Sequence, residues 1–393
     1  MRRTLAILLS SVMGLSTVMG LVGVAPVAAR TADPAPIQLT LPAPTGAHRI
    51  GTVSLHLVDS SRPDPWVPAQ RTREIMVQLW YPATNVRAYP KAPWVSPAVA
   101  EVLNPPGSGV LLPVTHGHVG APVRPGRHPV VVYSPGFSID RAASTALVED
   151  LASRGFIVVT IDHTHEAPLV EFPGGRVEVA AIPVPTTPEE EEQILTRALA
   201  VRVADARFTV NQLAAINKGR NPDAARRPLP RGLRGALDMS RVGMFGHSFG
   251  GAATAQTMYE DRRVRAGLNM DGTVFGRVVT AGLNRPFLLL GSQAEDEPDE
   301  TWVTLWANLR GPRHQLELLG SGHLSFSDYQ VLLPQSGVPA EDLEPLLGTI
   351  DGERSVAVQR AYVAAFFDRY LRWGDGRLLT GPSRRYPEMR IVA

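Results

Sequence analysis

The pentapeptide Gly246-His247-Ser248-Phe249-Gly250 has the pattern G-x-S-x-G, which presents a serine on a sharp turn between a strand and a helix. An apolar run, SRVGMFGHS, leads into it, and small residues, GGAATAQTM, follow it. Glycines on both sides of the serine allow neighbouring backbone to approach closely. The sequence therefore predicts Ser248 as a covalent nucleophile. It also predicts the Phe249 N–H as one donor to the oxyanion formed on an attacked carbonyl.

A serine hydroxyl is a weak nucleophile unless a histidine takes its proton and a carboxylate orients that histidine. After a G-x-S-x-G turn these partners follow in the chain order serine, acid, histidine. Two histidines, His314 and His323, come after Ser248. His314 begins the predicted strand HQLELLGSGH, whereas His323 follows its carboxyl end, where the functional loops of parallel sheets gather. We therefore predict His323 as the general base.

Two loops offer a carboxylate for this base. Asp271 follows the apolar stretch AGLNM, while the acidic run Glu295-Asp296-Glu297 follows RPFLLLGSQA. An isolated aspartate that closes a buried strand needs a partner, which a histidine N–H would provide, whereas an acidic run is typical of a solvated surface. The residues favour Asp271 as the acid and leave Asp296 as the alternative.

A second oxyanion donor is expected in the loop that follows the strand HPVVVYSPG. Ser134-Pro135-Gly136-Phe137 occupies this position. Pro135 has no backbone N–H and cannot serve. The Phe137 N–H is therefore the predicted second donor.

The elements around these residues indicate an α/β fold. HPVVVYSPG (128–136) and FIVVTIDH (156–163) are typical of strands buried on both faces, and RAASTALVEDLASRG between them is typical of a helix. Such alternation predicts a mostly parallel sheet with helices on both faces, within one catalytic domain over residues 49–393. GTVSLHLVDSSR and REIMVQLWYPA predict a hairpin at an edge of the sheet. Thr187 and Pro188 begin a long predicted helix that ends near Ile216.

Composition excludes several functional classes. The 393 residues are 44% hydrophobic and 19% charged, so an ordered core is expected. The absence of cysteine excludes disulfides, thiolate metal sites and a cysteine nucleophile. A net charge of +2 with two lysines offers no patch for nucleic acid. The stretch 162–166 (DHTHE) has metal-ligand residue types, but alternate strand residues point to opposite faces. We predict no metal and no cofactor.

The amino terminus resembles an export signal. Residues 1–29 begin with two arginines and continue through an uncharged apolar run to small residues, which predicts a signal peptide cleaved after Ala29 and hence secretion. The run is also long enough to be an uncleaved membrane anchor, which is the alternative. A proline-rich linker is predicted over residues 30–48.

Several segments together resemble one family, the α/β-hydrolases similar to secreted platelet-activating-factor acetylhydrolases and their bacterial dienelactone-hydrolase-like relatives. The resemblance spans residues 50–372. It rests on LHLVDSSRPDPW, QLWYPA, HPVVVYSPGF, LVEDLASRGFIVVTIDH, GHSFGG, MDGTVFG and GHLSFSD. It implies the α/β-hydrolase fold, with the nucleophile at Ser248, the acid at Asp271 and the base at His323. Pro135 departs from the pattern, because relatives often have histidine there.

The resemblance implies a calcium-independent serine esterase that cleaves short acyl groups from small-molecule or lipid esters, phospholipids included, with transient contact to a lipid surface. It implies no protein partner. Two alternatives remain open. One is a lipase or polyester hydrolase acting on longer chains or surfaces, and the other is a secreted binding protein that keeps the fold without catalysis.

Overall fold

The computed structural model describes residues 35–293 and 299–393. The predicted signal peptide, the start of the predicted linker and the acidic run with Asp296 lie outside the described residues. The described strands are β1 (Ile37–Gln38), β2 (Arg49–Asp59), β3 (Arg73–Ala83), β4 (Lys91–Pro93), β5 (Val110–Leu111), β6 (Val114–Val119), β7 (His128–Ser134), β8 (Ile157–Asp162), β9 (Leu169–Phe172), β10 (Arg176–Val179), β11 (Leu237–His247), β12 (Val264–Met270), β13 (Phe287–Ser292), β14 (Arg313–Leu318) and β15 (Met389–Ile391).

The described α-helices are α1 (Pro97–Leu103), α2 (Thr145–Ser153), α3 (Pro188–Asn217), α4 (Phe249–Glu260), α5 (Val278–Ala281), α6 (Glu300–Asn308), α7 (Tyr329–Gln335), α8 (Ala340–Leu347) and α9 (Gly352–Arg372). Short 3₁₀ helices lie at Val86–Ala88, His323–Phe326 and Arg377–Leu379. No helix within the described ranges has the length and apolar character needed to cross a membrane.

Eleven of the strands form one sheet in the order β15-β14-β13-β12-β11-β7-β8-β3-β2-β6-β4. The six strands from β14 to β8 run parallel to one another. The two edge strands, β15 and β4, are three residues long and pair antiparallel with their neighbours. The predicted mostly parallel central sheet is confirmed.

Alternating side chains of the strands build a separate core on each face of the sheet. In β7, Val130 and Val132 pack on one side with residues of α3, α4 and α6, whereas Val131 and Tyr133 pack on the other with α2 and α9. Successive side chains of any strand point to opposite faces, and apolar residues are buried on both only where both faces are covered. The sheet is therefore a middle layer between helices, as the continuous apolar runs predict.

Both helices predicted from local sequence patterns are present in the structure. α2 connects β7 to the parallel strand β8, which gives the predicted β-α-β unit. Thr187 caps α3 by accepting a hydrogen bond from the Glu190 N–H at 3.2 Å, and Pro188 is the first helical residue. Such caps satisfy backbone donors that the first turn leaves unpaired.

The predicted position of the β2–β3 hairpin is wrong in one respect. The two strands pair antiparallel along their full length, but β6 and β4 continue the sheet beyond β2. The hairpin is thus an interior part of the sheet. The added strands come from the segment 84–127, whose prolines and glycines hide the strand pattern from sequence reasoning.

Candidate active site

Ser248 lies between β11 and α4 in a strained backbone conformation, with φ 54° and ψ −124°. Its N–H donates to the Met270 carbonyl at 2.8 Å, and its carbonyl accepts from the Gly251 N–H at 2.8 Å. These bonds hold a conformation that costs on the order of 1–3 kcal/mol. The side chain is thereby presented at the helix start, where the sequence pattern predicts it. The residue is only 3% exposed.

The glycines around Ser248 are required by close backbone contact. A Cβ on Gly250 would lie 2.0 Å from the Ser134 carbonyl oxygen, and one on Gly246 would lie 2.2 Å from the Gly250 carbonyl carbon. Real Cβ atoms do not approach other atoms this closely. The turn is therefore packed against the carboxyl end of β7.

Asp271 and His323 are brought together, as predicted. His323 Nδ1 lies 2.7 Å from Asp271 Oδ2, and the Ser292 N–H donates to Asp271 Oδ1 at 2.7 Å. Burial opposes ionisation of Asp271, but the His323 hydrogen bond, the His323 charge and the Ser292 N–H outweigh it and lower the pKa of Asp271. Because an ionised carboxylate only accepts, His323 carries a proton on Nδ1, so that in the neutral ring the lone pair is on Nε2.

Backbone packing joins this pair to Ser248. A Cβ on Gly272 would lie 2.0 Å from the Ser248 carbonyl oxygen, so the turn after Asp271 rests directly on the serine backbone. The His323 ring centroid lies 4.7 Å from that of His247, which precedes Ser248. Among the described residues, however, no hydrogen bond joins the Ser248 hydroxyl to His323. Such catalytic contacts often shorten only when substrate binds.

Two residues that hold the Asp271 turn escaped sequence reasoning. The buried Asn269 side chain donates to the Gly272 carbonyl at 2.6 Å and accepts from the Gly272 N–H at 3.0 Å. Trp302 donates from Nε1 to the same carbonyl at 2.7 Å. A polar residue inside the apolar stretch AGLNM was the available signal for Asn269, because a buried amide needs partners.

His247 also supports the candidate base. Its Nε2–H donates to the His323 carbonyl at 2.9 Å. Burial, reinforced by the neighbouring His323, lowers the pKa of His247 from 6.5 to about 3, although Asp271 opposes this shift. His247 is therefore neutral in the folded protein and fixes the backbone of His323.

This low pKa predicts a pH dependence of stability. The unfolded chain gains a proton at His247 near pH 6.5, whereas the folded protein resists protonation until about pH 3. Stability present above pH 6.5 is therefore lost as the pH falls, at up to about 1.4 kcal/mol per pH unit from this residue. We expect His247→Gln, whose amide can still donate to the His323 carbonyl, to lose less stability than the wild type between pH 7 and pH 5.

Urea unfolding of both proteins at several pH values measures this difference. Parallel curves of unfolding free energy against pH would contradict the prediction.

The predicted oxyanion donors lie beside the serine. Among the hydrogen bonds of residues 35–293 and 299–393, neither the Phe137 N–H nor the Phe249 N–H has a partner. A Cβ on Gly136 would lie 3.5 Å from the Ser248 Cβ, which places the Phe137 loop against the serine side chain. Two backbone donors are thus available next to Ser248, and Pro135 leaves both intact.

Aromatic side chains form an apolar wall next to Ser248. The Phe249 ring lies 5.4 Å from the Phe137 ring and 5.3 Å from the Phe275 ring. Buried residues of α3 pack behind them, and Ala181 and Ile182 pack at the margin. The Phe249 ring is 1% exposed, and the Arg202 guanidinium lies 4.8 Å from its centroid.

Other histidines that could act as a base or a metal ligand form hydrogen bonds outside the candidate site. His314, the other histidine that follows Ser248 in the sequence, contacts the Tyr370 hydroxyl at 2.7 Å through Nε2. His165 contacts the Val179 carbonyl and Gln70, each at about 3 Å. Within the described part of the chain, no group of three or more potential ligands is arranged to hold a metal ion.

Comparison with known proteins finds a matching family and similar individual proteins. Residues 37–373 match the family described as platelet-activating factor acetylhydrolase, isoform II. A probable 1-alkyl-2-acetylglycerophosphocholine esterase from Arthroderma benhamiae is 28% identical and covers 95% of this chain and 98% of its own length. A platelet-activating factor acetylhydrolase from Cavia porcellus is 25% identical, covering 84% of this chain and 78% of its own.

A solved structure is also similar. The ferulic acid esterase from Streptomyces cinnamoneus is 38% identical with a TM-score of 0.76, over 90% of this chain and 99% of that one. The candidate site and every strand of the sheet except β15 lie within the matched family region, which spans most of the sequence. The chain belongs to the platelet-activating factor acetylhydrolase, isoform II, family.

Proposed function

We propose that this protein is a secreted serine esterase that hydrolyses carboxylic esters through Ser248, His323 and Asp271. The observation that carries the proposal is the joined arrangement of a strained, glycine-flanked serine with a histidine–aspartate pair whose turn rests on the serine backbone. Residues 1–29 would direct export. A buried carboxylate beside a histidine has a clear task in such chemistry, because it stabilises the imidazolium formed during reaction.

The proposed reaction has two steps. His323 Nε2 takes the Ser248 proton while Oγ bonds to the ester carbonyl carbon, and the carbonyl oxygen becomes an oxyanion held by the Phe137 and Phe249 N–H groups. The same proton then passes from His323 to the departing alkoxide, which leaves an acyl-enzyme. Water attacks that ester with His323 as base, and the acid and free Ser248 are released.

Short acyl groups are the proposed substrate class, including the acetyl esters of platelet-activating-factor-like phospholipids. Relatives named for this activity support the choice. The low exposure of Ser248 and the aromatic wall formed by Phe137, Phe249 and Phe275 support a confined acyl site rather than an open shelf. Transient contact with a lipid surface would deliver phospholipid substrates.

A hydroxycinnamoyl ester is the second candidate substrate. It is favoured by the similarity to the ferulic acid esterase, which is the more identical of the relatives described above. A planar aromatic acyl group would also suit a wall of phenylalanine rings, because offset or edge contacts between rings are favourable. The two candidates share the reaction and differ only in the acyl group.

Acyl preference is decided by initial rates on p-nitrophenyl esters from acetate to palmitate, together with methyl ferulate, with Ser248→Ala as the blank. We expect rates to peak at acetate or butyrate and to be lost for palmitate, because Ser248 is only 3% exposed and relatives are named for acetyl esters. Higher kcat/KM for methyl ferulate than for the acetyl ester would select the second candidate.

Sustained rates on palmitate or dispersed polyester would instead support a lipase or polyester hydrolase. No hydrolysis of any ester by folded protein would favour a non-catalytic binding protein.

A further inference from the structure

The sequence cluster Asp162 to Glu166, which has the residue types of a metal site, forms ion pairs and hydrogen bonds instead. Asp162 pairs with Arg141, His163 with Asp205, and Glu166 with Arg202. All but Arg141 are almost fully buried. Charges are costly to bury, and removal of one partner from a buried ion pair is strongly destabilising.

Arg202 of α3 lies directly behind the loop that carries the Phe137 N–H. Its Nη1 donates to the Ser134 hydroxyl at 3.1 Å and to the Pro135 carbonyl, and its Nη2 donates to the Gly136 carbonyl at 2.8 Å. Nε lies 3.0 Å from both Glu166 carboxylate oxygens, and Nη2 completes the fork to this carboxylate. All five N–H donors of the guanidinium are therefore used.

These contacts fix the direction of one peptide unit. In a planar trans peptide, the carbonyl of one residue and the N–H of the next point in opposite directions. The Gly136 carbonyl points at Arg202, so the Phe137 N–H in the same unit points away from it. Gly136 is also the residue that lies against the Ser248 side chain.

We propose that Arg202 is a positioning residue, which orients the Phe137 N–H as an oxyanion donor by binding the carbonyls of Pro135 and Gly136. This inference rests on the proposed esterase function. Lysine would not replace Arg202, because an ammonium is a compact charge and lacks the planar fork that spans Glu166 and both carbonyls.

A second series of hydrogen bonds holds Ser134, the last residue of β7. Asp205 accepts from His163 Nδ1 at 2.9 Å, so His163 Nε2 accepts from the Ser134 hydroxyl at 3.0 Å, while that hydroxyl accepts from Arg202. Arg73 anchors Asp205 from β3 with contacts of 3.2 and 2.8 Å. Each bond in the chain has one possible direction, so the end of β7 is held in a single arrangement.

The test uses the double variant Arg202→Gln/Glu166→Gln, which replaces the ion pair with neutral side chains and leaves no unpaired buried charge. We expect kcat for p-nitrophenyl acetate to fall about 100-fold, as for a misplaced catalytic group, with KM within about twofold. The inhibition constant of ethyl trifluoromethyl ketone should rise by a similar factor. Its adduct with the serine carries an oxyanion that needs the same donors.

Arg360 provides a matched control. It is 4% exposed and donates to the carbonyls of Pro42, Ala43 and Ala146, none of which belongs to the candidate site. Arg360→Gln should lower the melting temperature while kcat and ketone affinity stay within about twofold of wild type. A purely structural role for Arg202 would give the same pattern.

The variant Arg202→Lys keeps the charge and tests the inference independently if the double variant does not fold. It should lose about 10-fold in kcat and in ketone affinity, with KM little changed. A folded Arg202 variant that retains wild-type kcat and ketone affinity would overturn the positioning role. Wild-type protein with no hydrolysis dependent on Ser248 would overturn the proposed function as well.

Discussion

Replacement of Ser248 by alanine is expected to lower kcat for p-nitrophenyl acetate by about 10⁴-fold or more, to the level left by oxyanion donors and binding alone. The change removes the attacking oxygen and nothing that holds the turn, because the backbone bonds to Met270 and Gly251 remain. Initial rates and a melting curve separate catalysis from folding. We expect the melting temperature to stay close to that of the wild type.

A fluorophosphonate probe provides a direct control for this result. Wild-type protein should be labelled once, at Ser248, and the alanine variant should stay unlabelled, which peptide mass spectrometry can map. Hydrolysis by Ser248→Ala at more than about a tenth of the wild-type rate would show that another residue is the nucleophile.

The second large effect is expected for Asp271→Asn, with kcat lowered by about 10⁴-fold at neutral pH. The asparagine oxygen can still accept from the Ser292 N–H, but its amide group then faces His323 Nδ1 with hydrogens. Two donors cannot share that contact, so His323 would move its proton to Nε2. The lone pair needed to accept the Ser248 proton is lost, while the folded structure and KM change little.

Asp296→Asn is the matched control, because Asp296 is the alternative acid in the sequence and the substitution is chemically identical. We expect it to keep kcat within about twofold of the wild type. A larger loss in Asp296→Asn than in Asp271→Asn would show that the acidic run supplies the carboxylate.

Local patterns were sufficient to predict the sheet centre, the turn at Ser248 and the contact between Asp271 and His323. The runs that became β7 and β8 are continuous and apolar because both faces are covered, and the G-x-S-x-G pattern reports a turn whose sterics only glycine tolerates. Asp271 was selected over Asp296 by the argument that a buried carboxylate needs a donor. Its contact with His323 agrees with that reasoning.

Features that depend on distant partners were not predictable in this way. β6 and β4 come from a segment rich in proline and glycine, so their pairing beyond β2 leaves no periodic signal. Arg202 appears in the sequence as one of three arginines on the long helix α3. Its position behind the Phe137 loop depends on how α3 crosses the sheet, which no local pattern encodes.

The short antiparallel strands at the two ends of the sheet have a consequence for solubility. An exposed strand edge can recruit another chain into aggregates, and natural sheets limit this with brief edges, lysine and proline. β4 contains both Lys91, one of two lysines in the chain, and Pro93, while β15 carries Arg390. A protein without cysteine has no disulfide to restrain partial unfolding. These short edge strands, with their charged residues and proline, therefore disfavour pairing between the sheets of separate molecules.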